Sequence, residues 1–504
     1  MTDNTFQIAA IAVYFAVMVG IGFYAMRKTK SHEDYMLAGR NLRPSTAALS
    51  AGASDMSGWL MMGLPGAIFA SGLIEAWIAI GLTIGAYLNW RFVAPRLRAY
   101  TEVAGNSITI PSFFENRLHD RSRLLRIVSG IVILVFFTFY VSSGMVAGGV
   151  FFQSTFGGEY LTGMLLVGGI TLLYTMVGGF LGASLTDVVQ GLLMMLALIV
   201  IPIAAIISLG GFGNVVDLVT DFNPDHLSLL SNTDFNPVVA VGIISALAWG
   251  LGYFGQPHII VRFMAMKDPA SAKAARRIGM SWMIIAMVGA LTCGVVGLAY
   301  VQKNGLSLDN PETVTLMMSQ VLLHPLVSGF VLAAVLAAVM STVSSQLIVS
   351  SSALVEDLYK TFSREAPSQK RLVLLGRLCV LAIAAIAMLI ALDPAGTILE
   401  LVGFAWAGFG AAFGPAILLS LYWKKLTNWG VLAGMVGGAV MVFVWPLFGT
   451  GLYEIVPGFV LNLILAVVVS LLTGPPAPEV EAEFDEAEAL AKPQRGTGAV
   501  VSKS

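Results

Sequence analysis

Apolar runs long enough to cross a bilayer follow one another along almost the whole chain, and no other feature restricts its fold so severely. A spanning helix needs about 20 mainly apolar residues, and in lipid every backbone polar group must be satisfied within the protein. Counting such runs predicts thirteen segments, at about 6–26, 45–70, 74–95, 125–152, 160–180, 187–209, 238–262, 276–301, 322–354, 372–392, 398–422, 427–448 and 454–474. Only 11% of the 504 residues are charged, against roughly 25% in a soluble domain. The expected class is therefore an all-α polytopic membrane protein. A formal net charge of −1 argues against nucleic acid as a partner. Cys293 and Cys379 both sit in apolar runs and offer neither a disulfide framework nor a metal cluster.

The charges then orient the spans. With the N-terminus outside, the cytoplasmic regions are 27–44, the turn before Asp187, 96–124, 263–275, 355–371, the Lys424-Lys425 pair and the C-terminal tail. Nearly every Lys and Arg falls there or at the bordering helix ends, and only Lys303 is left outside. The loop at 210–237 carries four aspartates and no Lys or Arg. This asymmetry predicts N-terminus out and C-terminus in. The first apolar run is followed by Arg27-Lys28-Thr29-Lys30, the reverse of a cleavable signal's polarity. After Gly474 the tail turns acidic and is expected to be disordered.

Two of the apolar runs are interrupted. The second contains ALSAGASDMSGWLMMG (48–63), with Asp55, three serines and three glycines. An aspartate at mid-span costs about 3 kcal/mol on insertion scales, and non-helical backbone at that depth survives only where it is buried or lines a cavity. The seventh contains ALAWGLGYFGQP (246–257), with three glycines and a proline. The two lie five segments apart, and an odd number of spans reverses the direction of crossing. Paired breaks in two inverted halves point to the midplane site of a secondary transporter. The expected organisation is a first helix and loop at 1–44, one repeat at 45–209, an acidic outer loop at 210–237, a second repeat at 238–423, two further helices at 424–474 and the tail at 475–504.

SAGASDMSGWLMMGLPGA (50–67), LYTMVGGFLGASLTDVVQ (173–190), WGLGYFGQPHIIVRFMA (249–265), LAAVMSTVSSQL (336–347) and AWAGFGAAFGP (405–415) together resemble the sodium–solute symporter family, and within it the bacterial proline-carrying branch. The likeness runs to about residue 475. It implies thirteen helices with a leucine-transporter-like 5+5 inverted core, helices 2–6 and 7–11. It also implies import of L-proline with Na+ across the bacterial cytoplasmic membrane, with no cofactor and no obligate protein partner.

Ala338, Ser341 and Thr342 share one face of the ninth segment. Hydroxyl and carbonyl oxygens of this kind suit an alkali cation, although membrane serines also bond to carbonyls one turn back. The resemblance implies a sodium site made of these three with the backbone carbonyls of Ala53 and Met56. Asp55 either adds charge to that site or holds the broken helix together. On the substrate side, Trp59, Tyr140, Trp249 and Tyr253 offer aromatic faces to a proline ring, while Ser57, Gln256 and Pro257 adjoin the breaks. Exposed N–H groups of a half-helix suit its carboxylate. Asp187, which opens the sixth segment, and Arg40 are read as gate contacts or as capping and topological charges; His258 is read as structural. No nucleophile–base pair marks an enzyme, and the polar residues gather at paired breaks rather than along a pore. The alternative is a sodium- or proton-coupled symporter of another small solute, with Asp55 as the proton carrier in the latter case.

Overall fold

The computed structural model describes residues 3–28, 36–230, 236–363, 368–393 and 396–492. Parts of the expected loops at 27–44 and 210–237, and the tail at 493–504, lie outside them. The described residues form helices joined by short connections, with one isolated parallel bridge between Leu42 and Met266. Eleven helices are long and apolar enough to cross a membrane, and the shorter apolar helices Trp59–Ser71 and Tyr160–Met176 fall in the expected second and fifth segments.

The second segment divides as its composition dictates. Pro44–Asp55 is helical, Met56 leaves helical geometry at φ −79 and ψ 76, and a wide helical turn restarts at Trp59. The seventh runs helically over Pro237–Ala248, tightens over Trp249–Gly255, extends at Gln256 and restarts at Pro257, whose missing N–H is harmless at a helix start. Carbonyls freed by this break are met by side chains from neighbouring spans. Asn89 Nδ2 donates to the Tyr253 carbonyl at 2.9 Å, and Trp406 Nε1 donates to that of Trp249 at 2.7 Å. Glycine is required where the third span meets the second break, since a Cβ on Gly85 would enter the Gly250 carbonyl and one on Gly250 the Gly81 carbonyl.

The helices Pro325–Ser352 and Ile398–Tyr422 are the most deeply buried, while Asn428–Val444 and Ile455–Leu472 pair at the periphery against the latter. Asp3–Lys28 packs on Tyr160–Leu209 and Pro325–Ser352.

Two expectations need correction. The helix Tyr160–Leu209 is interrupted only at Gly179, in the left-handed region at φ 58. Asp187 therefore lies about two turns inside the following span, fully buried, and caps nothing. The described part of the tail is also ordered. Pro478–Ala491 is a helix with proline at its start and glutamates in its first turn, burying Val480, Phe484 and Ala487 along one stripe. Its acids meet the basic loops. Glu488 pairs with Arg96 at 3.1 Å, Glu483 meets His119 at 3.1 Å, and Lys424 contacts Asp485 at 2.7 Å and Glu481 at 3.6 Å. The hydrogen bond that Lys424 donates to Asp485 leads the upward shift of its ammonium. The Arg117 guanidinium lies over the Phe484 ring. A segment too polar to fold alone gains order by docking on charge of opposite sign.

Candidate functional site

The two breaks meet. Trp59 and Trp249 rings stand 6.3 Å apart, and Trp406 lies edge-to-face with Tyr253 at 5.1 Å. Ser57, Trp59, Tyr140, Trp249, Tyr253, Gln256 and Pro257 are all buried. Trp59 Nε1 donates to the Asp55 carbonyl at 3.2 Å, and Ser57 Oγ accepts the Trp59 N–H at 3.4 Å, so both side chains brace the break itself. Gln256 Nε2 reaches the Trp406 carbonyl at 3.1 Å, tying the second break to Ile398–Tyr422.

Because Ser57 N–H turns back to the Asp55 carbonyl at 2.9 Å, the Ala53 carbonyl loses the donor a continuous helix would supply. It accepts instead from Ser341 Oγ at 2.7 Å. The same hydroxyl lies 3.1 Å from the Ala338 carbonyl, and Thr342 Oγ1 lies 3.2 Å from that carbonyl. Four expected oxygen donors thus converge: two carbonyls and two hydroxyls. Met56 ends the first half-helix beside them, and both sequence readings of the triplet coexist geometrically, since each hydroxyl also reaches one turn back. The Asp55 carboxylate points elsewhere. Its Oδ2 accepts from the Tyr253 hydroxyl, joining the first break to the second. A small cavity of about 20 Å³, bounded by Asp55, Met56, Asn89 and Tyr253, adjoins it.

Among the described residues, buried polar atoms without a hydrogen-bond partner gather around the breaks. They are Asp55 Oδ1, the Tyr140 hydroxyl, Gln256 Oε1 and both ring nitrogens of His258. Such atoms are uncommon in folded proteins and mark places where a ligand or water completes the hydrogen bonding. His258 was read from sequence as structural; here its ring meets Tyr140 edge-on at 5.8 Å and presents two open nitrogens. Trp406 was also missed as a site residue, although its motif had been singled out. The sequence signal for His258 was adjacency to the second interruption, and for Trp406 its place in the glycine-rich stretch AWAGFGAAFGP.

Each side of this cluster is bordered by a distinct set of contacts. On the side of the basic loops, Arg262 is fully buried and donates to Asp187 Oδ2 at 3.2 Å, Ser50 Oγ at 3.0 Å, Ser345 Oγ at 2.6 Å and the His258 carbonyl. One guanidinium thereby binds Pro44–Asp55, Tyr160–Leu209, Pro257–Met264 and Pro325–Ser352 together. Arg40 is nearly buried beyond it, donating to Thr101 Oγ1 at 3.1 Å, the Met264 carbonyl at 3.1 Å and the Ser107 carbonyl at 2.6 Å. On the opposite side, the Glu312 carboxylate accepts the N–H groups of Ile398 at 3.0 Å and Leu399 at 3.2 Å, the natural place for an anion at a helix start. Burial raises its pKa, and those two hydrogen bonds partly oppose the shift. A cavity of about 560 Å³ opens on this side and reaches Trp249, which stacks on Tyr453 at 5.5 Å.

Comparison with known proteins identifies the family and the fold. The model of the sodium:solute symporter family matches residues 35–438. The high-affinity proline transporter PutP of Bacillus subtilis is 54% identical over 471 residues, covering 93% of this chain and 98% of that protein. A sodium/proline symporter of Staphylococcus aureus is 50% identical over 489 residues, covering 94% of each. Among solved structures, a Na+-coupled sialic acid symporter in a substrate-bound outward-open state superposes with a TM-score of 0.80 at 19% identity, covering 94% of this chain and 99% of that one. At that identity the likeness speaks to the fold alone, which is the leucine-transporter-like fold expected from sequence.

Proposed function

The chain belongs to the sodium:solute symporter family, and we propose that it imports L-proline together with Na+ by alternating access. The observation that carries the site assignment is the Ala53 carbonyl, released by the break and turned onto Ser341 of a distant helix. The sodium ligands are then the carbonyls of Ala53, Met56 and Ala338 with the hydroxyls of Ser341 and Thr342. Sodium takes the place of the hydrogen bond between Ser341 and Ala53, the hydroxyl keeping its proton and turning its oxygen to the ion, and holds the broken helix against Pro325–Ser352. Asp55 acts through Tyr253, linking that helix to the second break and adding negative charge nearby.

L-Proline occupies the region of unpartnered atoms between the breaks. Its ring lies among Trp59, Tyr140, Trp249 and Tyr253, and its charged ends meet half-helix N–H groups and the open oxygens of Asp55 and Gln256. Sodium orders the first break and so pre-forms this pocket; by linkage, proline raises sodium affinity by the same factor. The Arg262–Asp187 cluster closes the inner side while substrate enters through the cavity above Trp249, and its release with closure of the outer side completes the cycle. The protein lies in the bacterial cytoplasmic membrane with its N-terminus outside and its C-terminus inside, as the basic loops dictate. With one sodium per proline, a potential of ~100 mV supplies about 2.3 kcal/mol and a tenfold gradient about 1.4 kcal/mol, enough for roughly 500-fold accumulation.

Uptake of labelled proline into proteoliposomes, with sodium or with choline outside, tests the reading. Uptake indifferent to sodium refutes the coupling ion, and absence of both proline uptake and competition refutes the substrate. Thr342→Ala should raise the sodium concentration for half-maximal uptake; an unchanged value removes Thr342 from the site.

A further inference from the structure

Remote from the breaks, on the face of the basic loops, a cavity of about 750 Å³ opens between the third span, the start of Ser271–Asn304 and the end of the tail helix. Arg91, Lys273, Arg276 and Lys492 all line it. Its two acids are committed elsewhere: Glu102 binds Arg98 at 2.8 Å, and Asp268 Oδ1 accepts from the Ser271 N–H at 2.8 Å and the Ser271 hydroxyl at 2.9 Å. Lys492 touches Glu488 at 3.6 Å. Among the described residues, Arg91, Lys273 and Arg276 form no ion pair. Four cations and two carboxylates line one hollow, which leaves its lining net positive.

The positions of two cations indicate what approaches them. The Arg276 guanidinium lies 5.5 Å from the centroid of the Tyr87 ring, and that of Arg91 lies 5.4 Å from Phe92. Tyr87 and Phe92 are 47% and 44% exposed on an apolar span, so they face lipid. Positive charge is thus held at the seam between hydrocarbon and water, the level of phospholipid phosphates. A positive-inside loop needs only solvated charge; it does not need cations gathered around a walled cavity against lipid-facing aromatics.

We propose that Arg91, Lys273, Arg276 and Lys492 form a binding site for the phosphate headgroup of an anionic phospholipid, whose acyl chains lie along Tyr87 and Phe92. Basic pockets between spans on the cytoplasmic side bind such headgroups, with about fivefold in affinity per Lys or Arg near the surface. The lipid joins the third span to Ser271–Asn304 and, through Lys492, to the docked tail helix.

The test uses the full-length protein, stripped of lipid in a neutral detergent and titrated with phosphatidylglycerol or phosphatidylcholine, with bound lipid counted by native mass spectrometry. Phosphatidylglycerol should bind selectively, and R91Q/K273Q/R276Q should weaken it about 100-fold. R277Q, which removes an exposed charge on the same helix outside the cavity, should bind as the parent does. If the triple variant does not fold, K273Q, altering one exposed side chain, should still show about fivefold loss. Equal binding of the two lipids, an unchanged K273Q or triple variant, or an equal loss in R277Q overturns the site. Millimolar glycerol 3-phosphate should not displace the lipid; displacement would assign the cavity to a soluble phosphate and overturn the lipid proposal.

Discussion

Replacing Arg262 by methionine should release the inner closure. The guanidinium is fully buried, and Asp187 beside it is buried as completely. Among the described residues, Asp187 Oδ2 accepts only from Arg262 and from Ser50 Oγ at 2.7 Å, and Oδ1 has no partner. Methionine keeps much of the side chain's length but leaves the carboxylate with one neutral donor. Removing one partner of a buried ion pair costs about 3–5 kcal/mol, or roughly 150- to 5,000-fold in the closed-inside equilibrium. That loss applies only to the conformation in which the pair forms, so it favours the inward-open state. Replacing both residues, Arg262→Met with Asp187→Asn, removes the stranded charge and should recover most of the loss. The reporter is a single cysteine at Ile348, buried and lining the small inner cavity with Val261 and Asp357, in a background with Cys293 and Cys379 replaced by alanine. A membrane-impermeant thiol reagent applied to the inner face should label it slowly in the parent, fast in Arg262→Met, and slowly again in the double variant. Unchanged labelling in the single variant, or equal labelling in single and double, would refute the ion pair as the inner closure.

Ser341→Ala should raise the half-saturating sodium concentration by about 10- to 150-fold, from the loss of a ligand worth about 1.5–3 kcal/mol to a charged group, while maximal uptake at saturating sodium changes less; an unaltered sodium titration would exclude Ser341. Gly252→Ala should abolish transport, because its Cβ would enter the Trp406 indole, and Gly252→Ala/Trp406→Phe should recover part of it if that collision is the cause. Burial raises the Glu312 pKa above its unfolded value, so its contribution is complete below the unfolded pKa and is lost as pH rises through the folded one. Melting curves of Glu312→Gln and the parent should therefore coincide at acidic pH and separate in favour of the variant as pH rises; a constant offset would contradict this. His258→Phe should weaken proline competition without shifting the sodium titration, measured by labelled-proline uptake.

Both breaks were legible because each puts small, polar or proline residues inside a run that lipid would otherwise require to be helical. The residues beside them, from Ala53 to Trp59 and from Trp249 to Pro257, were legible for the same reason. The Arg262–Asp187 pair was not. Its members lie 75 residues apart on different helices, and an arginine in HIIVRFM has the same composition whether it snorkels outward or is buried against a carboxylate. Asp187 was misread because the sixth apolar run was taken to begin there, whereas the backbone leaves helical geometry earlier, at Gly179.

Membrane class and the approximate position of the spans follow from the sequence itself, because bilayer thickness acts on local composition, and the charge rule adds an expected orientation. Tertiary packing decides where released groups go: the Ala53 carbonyl to Ser341, Asp55 to Tyr253 rather than into the ligand cluster, and the acidic tail onto Arg96, His119 and Lys424. A hydrogen bond or ion pair depends on distance and direction between residues far apart in the chain, and hydrophobic periodicity carries neither.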